Sequence, residues 1–318
     1  MTKRCWSIIV FLAAVTCAGG FTVSPAAAKD DAPLRFGALP VLQALPLYVA
    51  QEKGLFAKEG VSVEIVPFNT AAEKDIALSA GQIEGCFADL VTPTVLKGNG
   101  RDIAIVATNY DTRKDRRMFA VLGKPGAAYR SLADLAKVPV AVSSNSVIDY
   151  VTEALLKNAG VPADACMTLE AKNIGLRMQM LLSGQVEAAT LPEPLVTAAL
   201  AKGAVLLGDD AGLGTSQTVL VFSSKFLKEH PDTAKAFLRA VDQAAKLINE
   251  QPDAARPIMV QHCRLPEPLQ ATYPVPRFPA VHAPDKDAVI TIAGWLKQRG
   301  MIRTDLSYED LVNAGFIP

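Results

Sequence analysis

Histidine is almost missing from this sequence, neither sign of charge is in excess, and cysteine is too sparse to build a framework. The 318 residues include 3 His and 5 Cys, and 32 Lys+Arg balance 32 Asp+Glu. That balance removes the basic surface that nucleic acid or anionic lipid would require, so neither is expected as a partner. The histidines, His230, His262 and His282, all fall in the C-terminal part of the chain. No Cys/His or Ser/His pairing is suggested, so nucleophilic catalysis lacks its parts and a non-enzyme is expected. HExxH and clustered metal-ligand spacings are missing too, as is a specific Gly-rich phosphate loop, and neither metal nor organic cofactor is expected. Cys86, Cys166 and Cys263 stand far apart without a metal or redox pattern. Three buried thiols is the expectation, with one disulfide plus a free thiol as the alternative. After the N-terminal apolar stretch, no run is long enough to cross a bilayer.

What is present begins with a secretory pattern. Lys3 and Arg4 supply a positive start, residues 8–18 an apolar stretch too short for a comfortable membrane span, and Ala26-Ala27-Ala28 the small residues that a signal peptidase reads. The expectation is a signal peptide over residues 1–28, cleavage after Ala28 and a periplasmic product. A lipid anchor through Cys17 is the rival, although Thr16 is a poor neighbour for a lipidated cysteine.

Short apolar runs alternate with helical patterns: residues 34–39, then 45–58, then 61–68. This is βαβ grammar and points to an α/β fold with mainly parallel sheets. An internal echo adds more. Leu78-Ser79-Ala80-Gly81-Gln82-Ile83-Glu84 recurs as Leu181-Leu182-Ser183-Gly184-Gln185-Val186-Glu187, and upstream Gly60-Val61 recurs as Gly160-Val161. Two lobes of similar plan would generate both coincidences. The expected division is residues 29–117 with 217–318 for lobe 1, and 118–216 for lobe 2. Chain crossings near Met118 and Thr218 would then serve as hinges.

Several phrases also carry a resemblance. Leu47-Tyr48-Val49-Ala50-Gln51-Glu52-Lys53-Gly54-Leu55-Phe56 is similar to the early helix of the nitrate/sulfonate/taurine (NMT1/THI5-like) substrate-binding family, which includes thiamine-precursor binding proteins. Ser131-Leu132-Ala133-Asp134-Leu135, Leu191-Pro192-Glu193-Pro194 and Phe226-Leu227-Lys228-Glu229-His230-Pro231 continue the likeness in order. The resemblance implies a type II periplasmic-binding-protein fold, a ligand cleft between two lobes, a monomer, and delivery of a small molecule to an ABC permease and its ATPase. Enzymes of menaquinone or pyrimidine pathways on the same fold are the alternative that it leaves open.

Loops beyond the carboxyl ends of strands face the crevice in open α/β sheets, where helix N-termini offer unpaired amides. That rule nominates Pro40 and Gln43 after the first strand, Asn69 and Thr70 after the second, and Phe87, Ala88 and Asp89 at the third. In the other lobe it nominates Ser143, Ser144, Asn145 and Ser146, with Pro192 and Glu193. The 143–146 cluster is the strongest of these because hydroxyls, an amide and free N–H groups converge there. Asp89 and Glu193 are the only charged candidates, and no Lys or Arg falls on these positions. The expected ligand is therefore a neutral or amine-bearing planar molecule, such as a thiamine-pyrimidine-like precursor, rather than a sulfonate, taurine or nitrate.

Overall fold

The computed structural model describes residues 32–318. The expected signal peptide, its cleavage after Ala28 and the alternative anchor Cys17 lie outside the described residues. Chain order runs β1 (Leu34–Ala38), α1 (Leu45–Glu52), α2 (Leu55–Lys58), β2 (Val63–Pro67), α3 (Ala71–Ser79), β3 (Gly85–Asp89), α4 (Val91–Gly98) and β4 (Ile103–Asp111). It crosses to β5 (Phe119–Gly123), β6 (Val140–Val142), α5 (Val147–Asn158), β7 (Thr168–Glu170), α6 (Ile174–Leu182), β8 (Ala188–Pro192), α7 (Leu195–Leu200) and β9 (Val205–Asp209). It then continues as β10 (Gln217–Ser223), α8 (Ser224–Glu229), α9 (Pro231–Glu250), α10 (Pro252–His262) and α11 (Lys286–Gln298). No helix among the described residues is long and apolar enough to cross a membrane.

Two five-stranded sheets result, ordered β2-β1-β3-β10-β4 and β7-β6-β8-β5-β9. The second repeats the first position for position, β6 standing for β1, β8 for β3 and β5 for β10. Each sheet is mixed rather than mainly parallel. β1 pairs with β2 and β3 in parallel, but β10 runs antiparallel between β3 and β4, and β5 antiparallel between β8 and β9. The reason is topological: β5 and β10 each follow a crossing from the other sheet, so they enter their own sheet from the opposite end.

Local signals explain most boundaries. The Thr70 hydroxyl accepts from the N–H of Glu73 and starts α3, and the Ser146 hydroxyl accepts from that of Ile148 and starts α5. Apolar spacing over residues 47–58 predicts one helix, but the chain forms two, because Gly54 adopts φ 64° and turns the chain between α1 and α2. In β10, residues Gln217 to Phe222 are all buried, as expected of a strand covered on both faces. Against β10 lies Gly85, where an added Cβ would stand 2.5 Å from the Phe222 ring and 2.6 Å from the Val221 carbonyl oxygen. Phe222 in turn packs on Phe36 and Phe237, with ring centroids 5.3 Å and 5.4 Å away. Each ring so buried contributes about 1.5–3 kcal/mol.

The crossings are tied to each other. Asp210 accepts from the N–H groups of Met118 (2.8 Å) and Phe119 (2.9 Å), and Thr112 donates its N–H to the Ser216 carbonyl at 3.1 Å. Cys86, Cys166 and Cys263 are free thiols, but Cys166 is only half-buried, which corrects the expectation of three buried thiols.

Candidate ligand-binding site

A cavity of about 180 Å³ lies between the sheets, at the ends of β1, β3, β8, β5 and β10. Leu39, Val41 and Phe87 line it from the first-sheet side, and Met118, Phe119, Val147, Ile148 and Ile174 from the second-sheet side. Depressions of about 460 and 490 Å³ flank the crossings and the α5–α11 contact, the first walled largely by charged residues and neither lined by strands of both sheets' central pairs β1–β3 and β6–β8. The smaller cavity is the candidate site because central strands and helix starts from both sheets converge on it inside an apolar wall.

Of the expected site residues, Gln43, Phe87, Ala88, Asp89, Pro192 and Glu193 line this cavity. Pro40, Asn69, Thr70, Ser143, Ser144, Asn145 and Ser146 do not, and their hydrogen bonds show why for most of them. Asn69 accepts from Arg264 at 2.5 Å, and Thr70 is spent as the α3 cap. The hydroxyl of Ser143 meets the Arg177 guanidinium, and the N–H of Ser144 donates to Glu170 at 3.0 Å. Asn145, at φ 60°, donates its N–H to Asp149 at 2.9 Å, while Ser146 caps α5 and donates to the Ser143 carbonyl at 2.7 Å. In this cluster the Ser143 and Ser146 hydroxyls are engaged within the protein and Asn145 is exposed, and α5 instead presents Val147 and Ile148 to the cavity.

The two carboxylates are also largely committed. One oxygen of Asp89 accepts from the N–H groups of Val91 (2.8 Å) and Thr92 (2.9 Å), capping α4, and burial raises the carboxyl above its ordinary range despite these bonds. Glu193, 8 % exposed, accepts from Arg117 Nε at 2.7 Å and from the hydroxyl and N–H of Thr197 at 2.8 and 3.2 Å. Its charge is answered within the protein by Arg117.

Two basic residues were missed. Lys74 lines the cavity at 1 % exposure, its ammonium against Asp75 and 3.5 Å from Cys86 Sγ. Burial works against that charge, yet Cys86, Asp75 and Asp89 outweigh it and hold Lys74 above its ordinary value. Arg177 is fully buried and donates to the carbonyls of Ala171 (2.9 and 2.7 Å) and Thr190 (2.8 Å), and to Ser143. Burial pushes its guanidinium down to about 10, still protonated at neutral pH. Each is the fourth residue of its helix, α3 or α6, and shares a stripe with Leu78 or Leu181, the first residues of the two echoed phrases. A basic residue on the apolar i, i+4 stripe was the readable signal.

The comparisons with known proteins agree with this architecture. A family model described as "NMT1/THI5 like" matches residues 42–255. The nitrate import ATP-binding protein NrtC of Synechococcus elongatus is 27% identical over 239 residues, 70% of this chain and 36% of that protein, so the chain spans about a third of that curated relative. Among solved structures, the periplasmic aliphatic sulphonate binding protein SsuA from Escherichia coli is similar at TM-score 0.77 and 17% identity, covering 88% of this chain and 92% of that one. The MOPS-bound alkanesulfonate-binding protein SsuA from Xanthomonas axonopodis pv. citri is similar at 0.72 and 20%, covering 91% and 99%. The periplasmic nitrate-binding protein NrtA from Synechocystis is similar at 0.68 and 16%, covering 90% and 91%. At these identities the structures establish the fold, the periplasmic-binding-protein arrangement of two α/β sheets about a cleft.

Proposed function

The chain belongs to the NMT1/THI5-like family, and from that premise we propose that it is an exported solute receptor that captures a small molecule between two lobes. Delivery is to an ABC permease and its ATPase, and the receptor itself is not an enzyme. The lobes are residues 29–117 with 217–318, and 118–216, and the crossings tied through Asp210 are the hinge. The observation that carries this reading is the apolar cavity built jointly from the ends of both sheets, since a ligand held there contacts both lobes and draws them together.

The ligand is small, because about 180 Å³ falls below the ~300–1,000 Å³ of most ligand pockets. It is neutral or amine-bearing and planar, of the size and kind of a thiamine-pyrimidine-like precursor. The walls suit a ring face, and Asp89 keeps one carboxylate oxygen free of protein hydrogen bonds for an N–H. An anion is the competing reading, favoured by Lys74 on the cavity wall. Binding one would require pulling that ammonium from Asp75 and Cys86 and placing negative charge beside Asp89.

A thermal-shift panel tests this. Aminopyrimidines are expected to raise the melting temperature and to shrink the radius of gyration, with taurine and nitrate inert. Saturable stabilisation by taurine or nitrate, with aminopyrimidines inert, would overturn the ligand assignment. N-terminal sequencing of the exported form tests cleavage after Ala28 against a lipid-modified Cys17.

A further inference from the structure

We infer that Gln43 sets ligand specificity by reading a paired donor and acceptor on one edge of the ligand, the pattern of a lactam, a carboxamide or an aminopyrimidine. The inference rests on the proposed cleft site and narrows its ligand class.

Of the polar side chains on the cavity wall, three are occupied and Asp89 keeps one oxygen free. Lys74 is held by Asp75 and Cys86, Glu193 by Arg117 and Thr197, and the Thr218 hydroxyl donates to Asn109 at 3.1 Å. Gln43 is different. It is 6 % exposed, yet its side-chain amide makes no hydrogen bond among the described residues. The buried polar atoms that lack partners belong to Asp149, Asp210, Thr215, Ser216 and His282, and none to Gln43. Its amide is thus neither sealed nor bonded, and Gln43 is one of the residues that line the cavity.

The backbone around it is fixed. The Gln43 carbonyl accepts from Asn109 Nδ2 at 2.8 Å, Asn109 is in turn held by Thr218, and the residue lies in a short 3-10 turn, Leu42–Ala44, that leads into α1. A rigid backbone therefore presents an idle primary amide to an otherwise apolar slot. Such an amide carries a carbonyl acceptor and an N–H donor side by side, and a ligand edge with the complementary pair satisfies both at once. A ligand lacking either partner leaves a buried polar group unpaired, the condition under which a site discriminates strongly. Thr92, also on the wall, offers only a single rotatable hydroxyl and cannot enforce a paired edge.

Calorimetric titration of three near-isosteric probes tests the inference. 2-Pyridone presents the paired edge, N-methyl-2-pyridone lacks the donor, and toluene lacks both. Wild-type protein is expected to bind 2-pyridone at least about 10-fold tighter than the other two, from two hydrogen bonds in a dry site. Gln43→Met keeps the length and removes the amide, and should bind all three within about 3-fold of one another, because no amide is left to reward the paired edge. Discrimination that survives in Gln43→Met overturns the inference, as does its absence from the wild type, and the wild-type comparison decides alone should the variant not fold. Equal wild-type binding of pyridone and toluene leaves the cleft reading standing while the Gln43 role falls. Binding of taurine or nitrate with no ring bound removes both.

Discussion

Asp210 gives the protein a stability that runs against the usual direction of pH dependence. Its side chain is fully buried, one oxygen accepts the two N–H groups at the entry to β5, and the other has no hydrogen-bond partner among the described residues. Burial pushes its carboxyl up from 3.8 to about 6, with the N–H bonds of Phe119 and Met118 opposing. Between these values the folded chain holds a proton that the unfolded chain has released, so the folded state is favoured at the acidic end. This contribution is greatest below about pH 4, falls as pH rises through about 6, and is flat above. A gap of roughly two pH units, at about 1.4 kcal/mol each, is about 3 kcal/mol. Asp210→Asn keeps the acceptor oxygen for both N–H groups and cannot ionise. Urea unfolding of wild type and variant across about pH 4 to 7 isolates the group, because every other titration cancels in the difference. Wild type should lose about 3 kcal/mol relative to the variant on going from the acidic to the neutral end. A difference that is flat, or that rises with pH, would refute the assignment of a buried, proton-holding Asp210 at the chain crossings.

Arg177→Met should destabilise by about 3 kcal/mol in urea, since it strands two carbonyls and the Ser143 hydroxyl at about 1–3 kcal/mol each, offset in part by relief of a buried charge. Arg177→Lys should recover less than half of that loss, because one ammonium cannot span acceptors that the guanidinium fork reaches; full recovery would show that charge alone matters there. Gly85→Ala should cost more than about 2 kcal/mol by thermal unfolding, since the Val221 carbonyl oxygen, 2.6 Å from the added Cβ, is backbone and cannot rotate away. A melt within a degree of wild type would mean that β3 and β10 separate freely.

The parts of the fold that were legible from sequence are those set by near neighbours. α3 and α5 have the expected bounds because Thr70 and Ser146 cap them from one residue away, and the echoed phrases mark the same helix-to-strand turn in both sheets, with Gly81 at φ 68° and Gly184 at φ 76°. The continuous helix over residues 47–58 was misread because its apolar spacing runs on through Gly54, and only the left-handed backbone there reveals the break. The antiparallel insertion of β5 and β10 depends on where the chain re-enters each sheet, which no local pattern encodes.

The site divides along the same line, with a further physical distinction. Residue type and position beyond a strand end nominate candidates for the cleft, and both are local. What becomes of a candidate depends on partners far along the chain: Arg177 holds Ser143, 34 residues back, and Arg264 holds Asn69, 195 residues back, both off the cavity wall, while Arg117 pairs with Glu193, 76 residues on, which stays on the wall. Hydroxyls and carboxylates are the residues most readily satisfied by caps and buried bases, so the features that made residues 143–146 and Glu193 stand out are those that commit them internally. Gln43 attracted less notice because it neither caps a helix nor carries charge. For that reason its amide is idle among the described residues, and an unspent hydrogen-bonding group in a dry cavity has free energy left to give a ligand.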